Sequence, residues 1–118
     1  MILTIERKQI EPDIVVLEIA GKICMGSDSQ KVEWALAELL KQNHKKIIFD
    51  LSAVTLLDST GVGILVTCYA KMKKAGGSLR VAGTKGMVEE TLKVTSVDKI
   101  MHFYPSLSEA AHDFQLAS

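Results

Sequence analysis

Residues 47–72 read IIFDLSAVTLLDSTGVGILVTCYAKM, and the way this stretch divides decides the fold. Ile47-Ile48-Phe49-Asp50-Leu51 is too short and too continuously apolar for a surface strand, so it is expected at the centre of a sheet, covered on both faces or nearly so. After Ser59 the apolar residues recur with helical spacing as far as about Lys74. Lys71, Lys73 and Lys74 crowd the last turn of that helix, and Gly76-Gly77 stops it. Between strand and helix stands Asp58-Ser59-Thr60-Gly61.

Working outward, the N-terminal side reads as a hairpin. Ile2-Leu3-Thr4-Ile5 and Ile14–Ile19 have strand composition, Glu11-Pro12-Asp13 is the turn between them, and Gly21 is expected to end the pair. Ser27-x-x-Gln30 has the form of a capping box, with Asp28 in the first turn. Val32, Ala35, Leu36, Leu39 and Leu40 then form one helical stripe. On the C-terminal side, Ser78–Ala82 is a further strand. Met87, Val88, Thr91, Leu92 and Thr95 are expected as the inner face of a third helix, and Ile100-Met101-His102-Phe103 as a last strand. Ser106-x-x-Glu109 is a second capping box, opening a helix with Leu107, Ala110, Ala111 and Phe114 on one side.

The order β-β-α-β-α-β-α-β-α implies an α/β fold. An antiparallel hairpin leads into parallel strands joined by right-handed crossovers, giving a mixed sheet with helices packed on it. The 118 residues, without repeat, linker or low-complexity tract, are expected to form a single domain over 1–118.

Composition narrows the function. Lys+Arg and Asp+Glu both number 14, so the formal net charge is zero, and no electrostatic reason remains to expect nucleic acid or an anionic membrane as partner. Cys24 and Cys68 fit neither a metal spacing nor a disulfide framework and read as reduced thiols; no metal or cofactor is expected. The N-terminal MILTIERKQIEPD lacks the long apolar core of a signal peptide, and no apolar run reaches the roughly 18 residues of a membrane span. The expectation is a soluble, cytoplasmic protein.

The Ser59 turn admits four readings. As a nucleophile, Ser59 lacks the first glycine of G-x-S-x-G, where Leu57 stands. It also lacks an obvious base. His44 follows a helix end beside two lysines, His102 is expected within a strand, and His112 on the outer part of the last helix, so no catalytic residue is expected. Gly61-Val62-Gly63 begins like a dinucleotide fingerprint, but Val66 occupies the third glycine position. As a cap, Asp58 or Ser59 would stabilise the helix by about 1 kcal/mol. As part of a partner surface, Ser59 would lie beside an apolar outer flank. Ile64, Leu65, Cys68 and Met72 suffice for the core, which leaves Val62, Val66 and Tyr69 to be covered by neighbouring helices or by another protein. Trp34, opposite the stripe of the first helix, is expected to be partly exposed, either as an interface anchor or packed beside Lys31 and Glu38.

The segments IIFDLSAVTLLDSTGVG, GGSLRVAG and FYPSLSEAAHDF, with VVLEIAGKI before them, resemble the anti-sigma factor antagonists, the single-domain STAS proteins of bacteria. The resemblance implies a STAS-type mixed sheet of about four to five strands with about four helices packed against it. It also implies a regulator of transcription rather than an enzyme. In that family the Ser of D-S-x-G is phosphorylated by an anti-sigma factor that is also a serine protein kinase, and a protein phosphatase removes the phosphate. Only the unmodified form binds the anti-sigma factor. Carried onto this chain, Ser59 would be the acceptor, and Asp58, Thr60, Gly61 and Val62 would belong to the partner-binding turn. Family members often have an acidic residue shortly after the glycine of the second strand that helps contact the kinase. Here Cys24 stands in that place, and Asp28 follows one helical turn on. The same fold also implies an alternative, a STAS scaffold subunit of a larger signalling or lipid-transport complex.

Overall fold

Three of the four strand-to-strand connections are parallel crossovers, and all three place their helix on the same side of the sheet. The computed structural model describes residues 3–26 and 28–117. Strand β1 (Thr4–Ile10) pairs antiparallel with β2 (Ile14–Ile23). Strands β3 (Lys46–Leu57), β4 (Ser78–Ala82) and β5 (Phe103–Tyr104) follow in parallel, so the spatial order β1-β2-β3-β4-β5 is also the chain order. Right-handed crossovers that always advance in one direction put their helices on one face. Accordingly α1 (Gln30–Lys41), α2 (Ser59–Lys74) and α3 (Gly86–Val94) bury Val32, Leu36, Leu65, Cys68, Met72, Val88 and Leu92 in one cluster with Val15, Leu17, Phe49 and Leu51 of the sheet.

The last helix, α4 (Leu107–Ala117), has no strand after it and packs on the opposite face, where Ala110, Ala111 and Phe114 meet Ile14, Val16, Ile48 and Ala82. The guanidinium of Arg80 on β4 lies over the Phe114 ring, 4.0 Å from its centroid, and pairs with Asp113, which also accepts a hydrogen bond from the Tyr104 hydroxyl. This polar clasp pins α4 across β4 and β5.

The five-stranded mixed sheet, the four helices and the central, doubly covered β3 agree with the sequence expectation. Several boundaries differ. Strand β1 begins at Thr4 and runs through the charged Glu6-Arg7-Lys8 to Ile10, because an edge strand needs few apolar residues. Strand β2 does not end at Gly21. Gly21 adopts φ +107° within the strand, where the register against β3 shifts twice, and pairing continues to Ile23. Strand β3 runs six residues past Leu51, to Leu57, alongside β2 alone.

Ser27, expected to open the first helix, lies outside the described residues; the helix itself starts at Gln30 after Ser29. Helix α3 turns Val88 and Leu92 inward but leaves Met87 64% exposed and Thr95 at the surface, so these two are not core residues. The run from Ile100 to Phe103 is not a strand either. Val97–Lys99 forms a 3-10 turn, Ile100 is exposed, and β5 begins only at Phe103, leaving His102 before it.

Candidate functional site: the Asp58–Gly61 turn

The extension of β3 decides where the turn sits. Beyond Asp50 the strand has no β4 partner and runs beside β2 until Ile23 pairs with Leu57. The loop after β2 and the turn after β3 therefore leave the sheet side by side at its C-terminal edge, the usual place for binding residues in parallel sheets. Contacts across the junction are close. The Asp58 N–H donates to the Ile23 carbonyl at 3.4 Å, and Gly61 packs so tightly on that carbonyl that a Cβ built there would lie 2.1 Å from it.

Asp58, in extended conformation, is the N-cap of α2. Its Oδ1 accepts the Gly61 N–H at 2.9 Å, and its Oδ2 accepts the Met25 N–H at 3.0 Å from the loop after β2. The backbone N–H groups of Met25 and then Gly61 hold the Asp58 carboxyl below its ordinary value of 3.8, since both donate to the charged form. A carboxylate with a depressed folded pKa contributes stability above the unfolded value, and that contribution is lost as pH falls through the folded one. Acid unfolding of Asp58→Asn is therefore expected to show a flatter pH dependence below about pH 4 than that of the parent chain, read as urea midpoints at a series of pH values.

The loop after β2 is pinned from its other end too. Ser29, 4% exposed, accepts the Cys24 N–H and donates to the Cys24 carbonyl, both at 2.9 Å. A hydroxyl placed to cap a helix instead closes the loop onto itself, and it makes no side-chain cap of α1. Cys24 is half-buried and Met25 is 77% exposed.

Ser59 is the first residue of α2 and is exposed, with no hydrogen bond from its hydroxyl to any described residue. Thr60 is half-buried, and Gly61 and Val62 are buried, so Val62 faces the core rather than a partner. Val66 and Tyr69 are half-buried against the same core, which leaves little of the apolar flank uncovered. Asp28 is exposed and pairs with Lys31 at 3.2 Å. The structure thus brings Asp58, Ser59 and the Cys24–Met25 loop together, while Asp28 engages its own helix. Trp34 is 65% exposed.

No histidine attends Ser59. His44 lies at the far end of β3 beside Arg7, 3.0 Å away. His102 borders a cavity with Tyr69 and Lys73, ten or more residues along α2 and so roughly 15 Å or more from its first turn. His112 is on α4, across the sheet. A hydrolytic triad at Ser59 has no base. Among the described residues no cluster of potential ligands could hold a metal ion, and no helix is long and apolar enough to cross a membrane.

Sequence reasoning found the turn but missed Met25 and Ser29. No local signal marks a main-chain N–H that bonds a carboxylate 33 residues away.

Known proteins share this fold. A Thermotoga neapolitana protein provisionally named an anti-sigma factor antagonist is 27% identical over 107 residues, covering 91% of this chain and 95% of that protein. The crystal structure of an anti-sigma factor antagonist from Mycobacterium paratuberculosis superposes with a TM-score of 0.84 at 26% identity, covering 94% of this chain and 92% of that one. The phosphorylated form of the Bacillus cell fate determinant SpoIIAA, 18% identical with a TM-score of 0.64 over 93% of this chain and 97% of its own, shares the fold. Residues 6–110 match the family model of the STAS domain. With the mixed sheet, its helices and nearly the whole length accounted for, the chain belongs to the STAS domain family.

Proposed function

We propose that this chain is an anti-sigma factor antagonist switched by phosphorylation of Ser59. Unmodified, it binds an anti-sigma factor that is also a serine kinase, so that the sigma factor is freed. Phosphorylated, it lets the anti-sigma factor go, and a phosphatase resets it. The names of its relatives support the antagonist role. The observation that carries the switch is the exposed Ser59 hydroxyl on the first residue of α2, unengaged by any described residue and beside a cap already supplied by Asp58. A serine serving as the cap would be tied up in the fold; this one is free to react.

Transfer forms a bond from the Ser59 oxygen to the γ-phosphorus of ATP and breaks the bond to the ADP leaving group, with the hydroxyl proton passing to a base on the kinase. The product carries about −1.5 to −2 charges at a helix N-terminus. The macrodipole favours an anion there by about 0.3–1 kcal/mol, so the domain stays folded. Loss of binding then arises at the interface, where a partner shaped around a neutral hydroxyl meets a charge it cannot solvate.

The test is incubation of the chain with ATP and a serine-kinase anti-sigma factor, followed by mass mapping. One phosphate is expected, on Ser59, with none on Thr60 and none in Ser59→Ala. Binding by Ser59→Asp as tight as that of the parent chain would instead favour a scaffold subunit.

A further inference from the structure

Asp58 does two jobs with two oxygens. Oδ1 caps α2 through Gly61, as an N-cap carboxylate is expected to do. Oδ2 is not needed for capping, yet it accepts the Met25 N–H from a loop separated by 33 residues. That loop is anchored on one side by Ser29, whose hydroxyl grips both backbone groups of Cys24. Ahead of Cys24 it leaves the sheet at Ile23, paired with Leu57. Between these fixed points Met25 projects, 77% exposed, on the same edge as Ser59.

We propose that Asp58 is the positioning residue of the switch: it holds the Cys24–Gly26 loop, and exposed Met25 with it, in the partner-facing surface beside Ser59, and a phosphate on Ser59 releases that loop. This inference rests on the reading of Ser59 as the phosphorylated residue. The physical argument is competition. A phosphoryl group on the first helical residue stands next to the cap carboxylate and seeks the same N–H groups at the start of α2. Two anions cannot share those donors without repulsion. Asp58 is the weaker anion and has a second engagement to give up. When its carboxylate turns away, the Met25 N–H loses that acceptor, while the Ser29 contacts to Cys24 and the pairing of Ile23 with Leu57 stay in place. The switch then changes the shape of the binding surface as well as its charge, while the sheet is undisturbed.

The test needs no partner. Phosphoserine is installed at position 59 during synthesis, and the exchange of the Met25 amide with water is measured by NMR in modified and unmodified chains, each with and without Asp58→Asn. Asparagine retains a carbonyl oxygen that can cap Gly61, but its amide nitrogen cannot accept the Met25 N–H. Phosphate alone and Asp58→Asn alone are each expected to speed Met25 exchange about tenfold, as loss of a hydrogen bond to a charged acceptor implies, and the two together no more than either. The Gly61 amide in Asp58→Asn serves as the control that α2 is intact. Met25 exchange unaffected by the phosphate overturns the proposal, and so does an equal effect of the phosphate in Asp58→Asn. If Asp58→Asn fails to fold, the phosphate arm in the parent chain decides alone. The functional reading fails separately, when Met25 is released by phosphate and a serine-kinase anti-sigma factor binds both forms alike.

Discussion

Phosphate on Ser59 is expected to weaken binding to the anti-sigma factor roughly a thousandfold, equivalent to about 4 kcal/mol. The magnitude follows from burying an anion at a contact built for a hydroxyl, which costs several kcal/mol unless the partner supplies a cation. Ser59→Ala, which removes only an exposed hydroxyl with no partner among the described residues, is expected to leave affinity within a few-fold of the parent and to make binding insensitive to ATP. Ser59→Asp carries one charge on a shorter side chain and should fall between the two. Titration calorimetry of the four forms against one anti-sigma factor distinguishes them. Equal affinity for the phosphorylated and unmodified chains would remove the switch. Amide chemical shifts of the free protein supply a second check: changes on phosphorylation should stay within the Ser59 turn and the loop at residues 24–26, leaving β2, β3 and β4 as they were.

The second large effect is structural. Gly61→Ala is expected to destabilise the domain by about 3 kcal/mol, lowering Tm by roughly 10 °C or more. An added Cβ would stand 2.1 Å from the Ile23 carbonyl oxygen and 2.5 Å from Leu57 Cδ1. The first of these is backbone, held in the β2–β3 ladder, and it cannot move aside as a flexible side chain would. The higher helix propensity of alanine, about 1 kcal/mol, does not offset that clash. Gly63→Ala is the control two residues on. Nothing lies within 4 Å of its Cβ position, so the propensity gain should appear as a stabilisation of about 0.5–1 kcal/mol. Chemical denaturation of the pair should therefore give opposite signs; a neutral Gly61→Ala would mean that α2 does not rest on Ile23 as described.

The sequence reading succeeded where side-chain patterns carry the information and failed where the backbone does. Ile47–Leu51 announced a central strand because both its faces are buried, and the lysines before Gly76-Gly77 announced the end of α2, which stops at Lys74. Strand β2 was cut short because glycine often marks the end of a strand, whereas Gly21 here, at φ +107°, stands at a register shift within it. The far half of β3 went unread because Ser52, Ala53 and Thr55 are exposed and carry no apolar alternation. Met87 was placed inside on helical spacing, yet the Val88–Leu92 pair defines the buried line and Met87 falls beside it. At the candidate site, Asp58 and Ser59 were legible as a helix start, but their roles were open until the extended conformation of Asp58 assigned it the cap and left Ser59 unengaged. The tie from Asp58 to Met25 is a product of folding alone.

The coincidence of spatial and chain order in the sheet bears on biogenesis. Each strand has its docking edge already present when it leaves the ribosome, starting from a hairpin that is local and quick to close. Growth proceeds at one border only, with each crossover helix sealing the ground just laid. No strand has to be inserted between two earlier ones, so nascent chains avoid the search that makes interleaved parallel sheets slow and prone to misassembly.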